Sequence, residues 1–124
     1  MRSPGLAALV LLVTSASAVA GPLDGRWAIS RDDCGPAPGT SDRVPVTIAG
    51  SRMDFHESVC EIAAIEAIGA QGAAWRVTRA CAGEGEKWTV RSIFAIDRDM
   101  AETPRQLIEI DVDNGYVIVR QHCD

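Results

Sequence analysis

From residue 43 to the end of the chain, apolar and polar side chains alternate in short runs broken by Gly, Pro, Asn and Asp. This is the pattern of half-buried β-strands joined by tight turns. Eight strands are predicted, over about 25–30, 43–49, 52–58, 60–68, 73–81, 86–95, 106–112 and 115–122. The fold class is therefore all-β, and the expected architecture is a single small up-and-down antiparallel barrel.

Two turns can be tested for consistency, because a turn sets the register and the register must gather apolar residues on one face. Gly50-Ser51 sets Ile48 opposite Met53, Val46 opposite Phe55 and Thr47 opposite Asp54, which leaves one side apolar. Asn114-Gly115, the dipeptide preferred in a type I′ turn, sets Ile108 opposite Gln121, Ile110 opposite Val119 and Val112 opposite Val117. That apolar side is expected to face inward. Glu109 opposite Arg120, with Asp111 beside them, is expected to face water as a cross-strand ion pair. Pro45 has no N–H to give to a ladder, so it should stand at a gap, an edge or a bulge. Expected interior residues are Trp27, Ile29, Val44, Val46, Ile48, Met53, Phe55, Trp75, Val77, Trp88, Val90, Phe94, Ile108, Ile110, Val112, Val117 and Val119.

The stretch "CEIAAIEAIGAQGAAWRV" supports two readings. Ile62, Ile65 and Ile68 recur at helical spacing and the alanines agree, so residues 61–69 read as a helix or as a strand. Gly69 and Gly72 bracket a turn, and folding there sets Cys60 opposite Cys81, Ala64 opposite Val77 and Glu66 opposite Trp75. Directly opposed strand residues lie within disulfide reach, and this match favours strands. Four cysteines allow three pairings. If Cys60 pairs with Cys81, then Cys34 pairs with Cys123 and ties the first strand to the last, as a closed barrel requires.

Residues 1–20 read as a signal peptide: Arg2, an apolar run from Leu6 to Val13, and a small-residue end at Ala18-Val19-Ala20. The run is too short for a lasting membrane anchor, and no cysteine follows the cut to carry a lipid. Residues 21–124 are then one exported domain, periplasmic or secreted, in a compartment where disulfides persist. Removing Arg2 leaves 11 basic against 17 acidic side chains, net −6, which disfavours nucleic acid and anionic membrane as partners.

No catalytic, cofactor or metal signature stands out. The cysteine spacings of 26, 21 and 42 residues do not resemble a zinc site. His56 and His122 are expected on outward faces with nothing converging on them. "DVDNGY" begins like a calcium loop, yet Gly115 occupies the fifth place, where a ligand is needed. Glu57, Glu61 and Glu66 are acids that glycosidase chemistry could use, with no separation fixed by the sequence. The serines lack a nucleophile-elbow context. Glu84, on the turn in "CAGEGEKW", is a candidate contact for a partner.

Gly25-Arg26-Trp27 on a first strand, an eight-strand meander and N-to-C closure resemble the calycin group of barrels, lipocalins in particular. The resemblance implies that Trp27, with Gly25 beside it, packs across the barrel's closed end. In size, and in having Cys34 soon after Trp27, the chain is similar to small periplasmic inhibitors of secreted metalloproteases. Those insert N-terminal residues into the protease, which would make Gly21-Pro22-Leu23-Asp24 the inserting segment here; Cys60 and Cys81 depart from their pattern. The expected function is non-enzymatic binding of another protein, a hydrolase among the candidates, through loops 35–42, 82–86 and 96–105. The alternative is carriage of one small apolar ligand in the barrel.

Overall fold

The computed structural model describes residues 2, 5, 20–35 and 44–124. Most of the expected leader and of loop 35–42 therefore lies outside the described residues. The rest is a closed antiparallel barrel in which each strand pairs with its neighbours in sequence and β1 pairs with β8. The strands are β1 (Gly25–Ala28), β2 (Val46–Ala49), β3 (Arg52–Phe55), β4 (Ser58–Ile68), β5 (Ala74–Gly83), β6 (Glu86–Arg98), β7 (Pro104–Asp111) and β8 (Val117–Cys123). The stretch after Cys60 is thus strand and not helix. β1 to β3 are only four residues each, whereas β4, β5 and β6 run to 11, 10 and 13. The long strands consequently set which residues face the interior, and the short ones close it.

The Gly50-Ser51 turn pairs Thr47 with Asp54 and Ile48 with Met53, the expected register. Pro45 stands just before β2 begins, outside the ladder it could not join. Cys60 faces Cys81. Beyond them the ladder slips by one residue between Ile62 and Ala64, so Ile65, not Ala64, meets Val77, and Glu66 meets Arg76 instead of Trp75. Ala63 is the extra residue of a β-bulge, which no turn-based register could foresee.

Both disulfides are formed, Cys34–Cys123 with Cα atoms 5.5 Å apart and Cys60–Cys81 with Cα atoms 4.0 Å apart. They do different jobs. Cys60 and Cys81 are buried among the core residues, next to Met53 and Val77. Cys123 pairs with the exposed Arg26, on the outer side of the wall, and its bridge holds a single 3-10 turn (Arg31–Cys34) over β1 and β8. Ala28 is buried beneath that cover.

The one large departure concerns the β7–β8 hairpin. Ile108, Ile110, Val117 and Val119 do share a face, with Ile108 opposite Val119 and Ile110 opposite Val117. The connection is longer than two residues: the Asp111 N–H donates to the Tyr116 carbonyl, and Asp111 Oδ1 accepts from the Asn114 amide. This moves the register by two positions and keeps the faces intact. The apolar face, however, points out. Ile110 is 40% and Val117 64% exposed, whereas Glu109 is 2% exposed and Arg120 is also buried. The physical reason lies in β6. Trp75 and Val77 of β5 set Phe94 and Ser92 inward, and the β6–β7 register then places Glu109 beside Phe94 and Leu107 beside Ile96. Long apolar strands decide the orientation, and the hairpin follows.

The same correction applies to single residues. Ile29 and Val112 are exposed, and Trp88, on the inward side of β6, emerges at a rim. His122 turns inward against Trp27, their rings edge-on with centroids 4.9 Å apart.

Candidate functional site

In an up-and-down barrel the β3–β4, β5–β6 and β7–β8 turns share one rim. At that rim the β3–β4 turn holds Glu57 at φ 60° and the β5–β6 turn holds Glu84 at φ 50° followed by Gly85 at φ 79°. Left-handed backbone of this kind is uncommon in a non-glycine residue and holds a side chain in a set direction. The two turns touch. A Cβ at Gly83 would lie 2.5 Å from the Glu57 carbonyl oxygen, so only glycine lets the hairpins meet there.

Between them lies a cleft of about 230 Å³ lined by His56, Glu57, Ser58, Gly83, Glu84, Glu86 and Trp88. Trp88 is 41% exposed. His56 Nε2 stands 3.4 Å from Glu57 Oε1. Carboxylates around an accessible indole attract a cation twice over, by charge and through the ring face. Glu84, the expected contact residue, is therefore joined by Glu57, Glu86 and Trp88.

A second constellation occupies the interior. Glu109 Oε2 accepts from Arg79 Nη2 at 2.8 Å and from Ser92 Oγ at 2.7 Å, while Oε1 accepts from Arg120 Nη1 at 2.8 Å. The Arg79 guanidinium carbon lies 5.5 Å from the centroids of both Phe55 and Phe94. Burial alone would push the Glu109 carboxyl up. The charge of Arg79, the hydrogen bond and charge of Arg120 and the Ser92 hydroxyl outweigh it and hold Glu109 below its ordinary value. Asp111 is likewise lowered, chiefly by Asn114 of its own turn, with a smaller contribution from Arg79. Among the fully buried donors described here only Arg79 Nε lacks a partner, and the charges of the cluster are met within it.

The N-terminal segment is tied down. Leu23 is 1% exposed and its carbonyl accepts from the Trp27 indole N–H at 3.1 Å. Asp24 Oδ1 accepts from the Gly50 amide at 2.8 Å. Gly25, at φ 150°, leaves room for the Trp27 ring, whose atoms would lie 3.2 Å from a Cβ there. Inserting Gly21–Asp24 into a protease would require pulling Leu23 out of the core. Alongside runs an open groove of about 430 Å³, lined by Pro22, Leu23, Ile62, Ala63, Ala64 and Ile65 among others.

Other candidates stay apart. Glu61 accepts from Ser51 Oγ at 2.6 Å, Glu66 lies 3.6 Å from Arg76, and Glu57 is on the turn rim, so the three acids do not form one site. Asp111 caps its own turn and Asp113 pairs with Arg91. Among the described residues, no three His, Cys, Asp or Glu side chains converge to hold a metal ion. In loop 96–105, Asp99 Oδ1 accepts from the Ala101 and Thr103 amides, a self-contained turn at the opposite rim. No protein family, curated protein or solved structure matches the chain.

Proposed function

We propose that the chain is an exported, non-enzymatic binding protein whose partner is another protein, with inhibition of a hydrolase the most specific form of this reading. The observation that carries it is the rim cleft, where Glu57, Glu84, Glu86 and the exposed Trp88 surround a space the size of one side chain. Its chemistry suits an arginine or lysine presented by the partner. Tryptophan is among the residues enriched at interface hot spots. The two disulfides suit an oxidising periplasmic or extracellular setting. The calycin-like start at Gly25-Arg26-Trp27 stays part of this reading as a resemblance of fold.

The test is a photo-crosslinker at position 84 in the producing cell, with Trp88→Ala and Glu57→Gln/Glu86→Gln as comparison backgrounds. A discrete protein adduct that disappears in both backgrounds, and weakens at high salt, supports the reading. An adduct indifferent to both, or none, sinks it. The groove beside Leu23, Ile62 and Ile65 favours the second reading, an apolar-ligand carrier. Native mass spectrometry of protein from its own host would then show a bound small molecule, lost in Ala64→Arg.

A further inference from the structure

Gly21–Asp24 lies as a strap against the β2–β3 turn. The Gly21 carbonyl accepts from the Asp24 amide at 3.3 Å, and Asp24 Oδ1 in turn accepts from the Gly50 amide at 2.8 Å. The strap carries Leu23 into the core and its carbonyl to the Trp27 indole N–H. One direction at the Gly21 Cα is distinctive. A Cβ placed there would lie 3.0 Å from the Gly50 carbonyl oxygen and 3.1 Å from Asp24 Oδ1. For carbon both distances are tight. For a nitrogen carrying protons they are hydrogen-bond distances, one of them to a carboxylate.

Such a nitrogen exists once the chain is cut before Gly21. The expected leader ends in the small-residue run Ala18-Val19-Ala20, the type of site a signal peptidase reads. Hydrolysis of the Ala20–Gly21 amide consumes one water, leaves Ala20 as a carboxylate on the released leader and leaves Gly21 with an α-ammonium. In the intact chain that nitrogen is an uncharged amide with a single hydrogen and with Ala20 attached. After the cut the Gly21 Cα–C bond is free to rotate, and a third of a turn brings the nitrogen into the direction just described while the carbonyl stays on Asp24. Glycine has no Cβ for that rotation to displace.

We propose that cleavage between Ala20 and Gly21 creates an ammonium that the fold is shaped to receive, seated between Asp24 Oδ1 and the Gly50 carbonyl and fastening the strap to the β2–β3 turn. This rests on the exported reading. A cut after Ala18 would instead leave Gly21 as an amide and the two oxygens without an ammonium. The charges nearest the seat on the neighbouring strands are Arg52, engaged with Asp54, and Glu61, engaged with Ser51 Oγ. The groove beside it, lined by Pro22, Leu23, Gly50, Ser51 and residues 62–65, brings no titratable side chain. Asp24 is therefore the group that raises the pKa of the new terminus. The stability it adds is fully present below the ordinary α-amino value of ~8 and is lost as pH climbs through the raised folded value.

Two measurements separate the seat from the export it follows. The intact mass of the protein recovered from its own host should be that of a chain beginning at Gly21. A cut at any other position overturns the proposal and leaves export standing, whereas an uncut chain overturns both. Independently, residues 21–124, which hold all eight strands and all four cysteines, are compared in the oxidised state with residues 20–124. The chain starting at Gly21 should melt about 2–6 °C higher at pH 7. That advantage should be gone by about pH 10, and its Gly21 Cα resonance should titrate above the ordinary α-amino range. Asp24→Asn keeps an acceptor for the Gly50 amide and removes the charge, so it should return the titration to the ordinary range with the barrel still folded. Equal melting of the two chains, or a Gly21 titration indifferent to Asp24→Asn, overturns the proposal whatever the host mass shows.

Discussion

Replacing Glu109 by Gln removes one negative charge and almost no volume. In the native barrel that carboxylate is the shared acceptor for Arg79, Ser92 and Arg120 within 2.8 Å, and all three are buried. The amide of Gln can accept on one side only, and its NH₂ would face a guanidinium. Two buried cations are then left without their counter-charge. Breaking a buried ion pair from one side costs about 3–5 kcal/mol, most of it from the uncompensated charge left behind. A domain of this size has only ~5–15 kcal/mol in all, so the loss should lower the melting temperature by on the order of 15–30 °C. Near-UV circular dichroism follows it well, because Trp27 and Trp75 are both in the core. The companion variant Arg79→Met/Glu109→Met/Arg120→Met removes all three charges together. It should fall within about 1 kcal/mol of wild type or exceed it, since desolvation no longer opposes folding. A Glu109→Gln protein destabilised by under ~1 kcal/mol would refute the claim that the triad is desolvated inside the barrel.

The pH dependence follows from the same residue. Glu109 titrates below its ordinary value of 4.5 in the folded state, so its contribution is fully present above that value and is lost as pH falls through the folded pKa. Urea midpoints should stay level from pH 8 to 5 and drop below, and Glu109→Gln should flatten the drop. Among the bridges, Cys34–Cys123 spans 89 residues and Cys60–Cys81 spans 21. Chain entropy assigns them about 4.6 and 3.4 kcal/mol, so the Cys34→Ser/Cys123→Ser protein should show the lower urea midpoint; the reverse order would contradict the entropic account. Leu23→Ala should cost ~2–5 kcal/mol, as for other fully buried leucines. A change under 1 kcal/mol by thermal unfolding would instead mean that the N-terminal segment is free to leave the barrel.

Much of the barrel was legible in local chemistry. The Gly50-Ser51 register and the facing of Cys60 and Cys81 follow from turn residues and alternation, and the second bridge follows from the first by elimination. The inside–outside choice for β7–β8 was not, because both faces of that hairpin are internally consistent and only its neighbour β6 decides between them. A signal did exist. Arg79 shares the inward side of β5 with Trp75, Val77 and Cys81, so an arginine had to be buried, and a buried arginine needs a carboxylate across the interior. Glu109 is that carboxylate. The bulge at Ala63 left no comparable trace, since an extra residue in an alanine-rich strand changes no alternation that can be seen. Of the rim cleft, Glu84 was legible from its Gly-flanked turn. The meeting of that turn with Glu57 depends on a tertiary contact at Gly83.

The orientation of the last hairpin is where the triad and the apolar wall both originate. Hydroxyl-radical footprinting at low micromolar concentration reads it directly, residue by residue. The account predicts rapid oxidation at Tyr116, Val117 and Ile110 with Leu107 and Phe94 protected. Protection of Val117 and Ile110 together with oxidation of Leu107 would show that the hairpin faces the other way, and the account would fall.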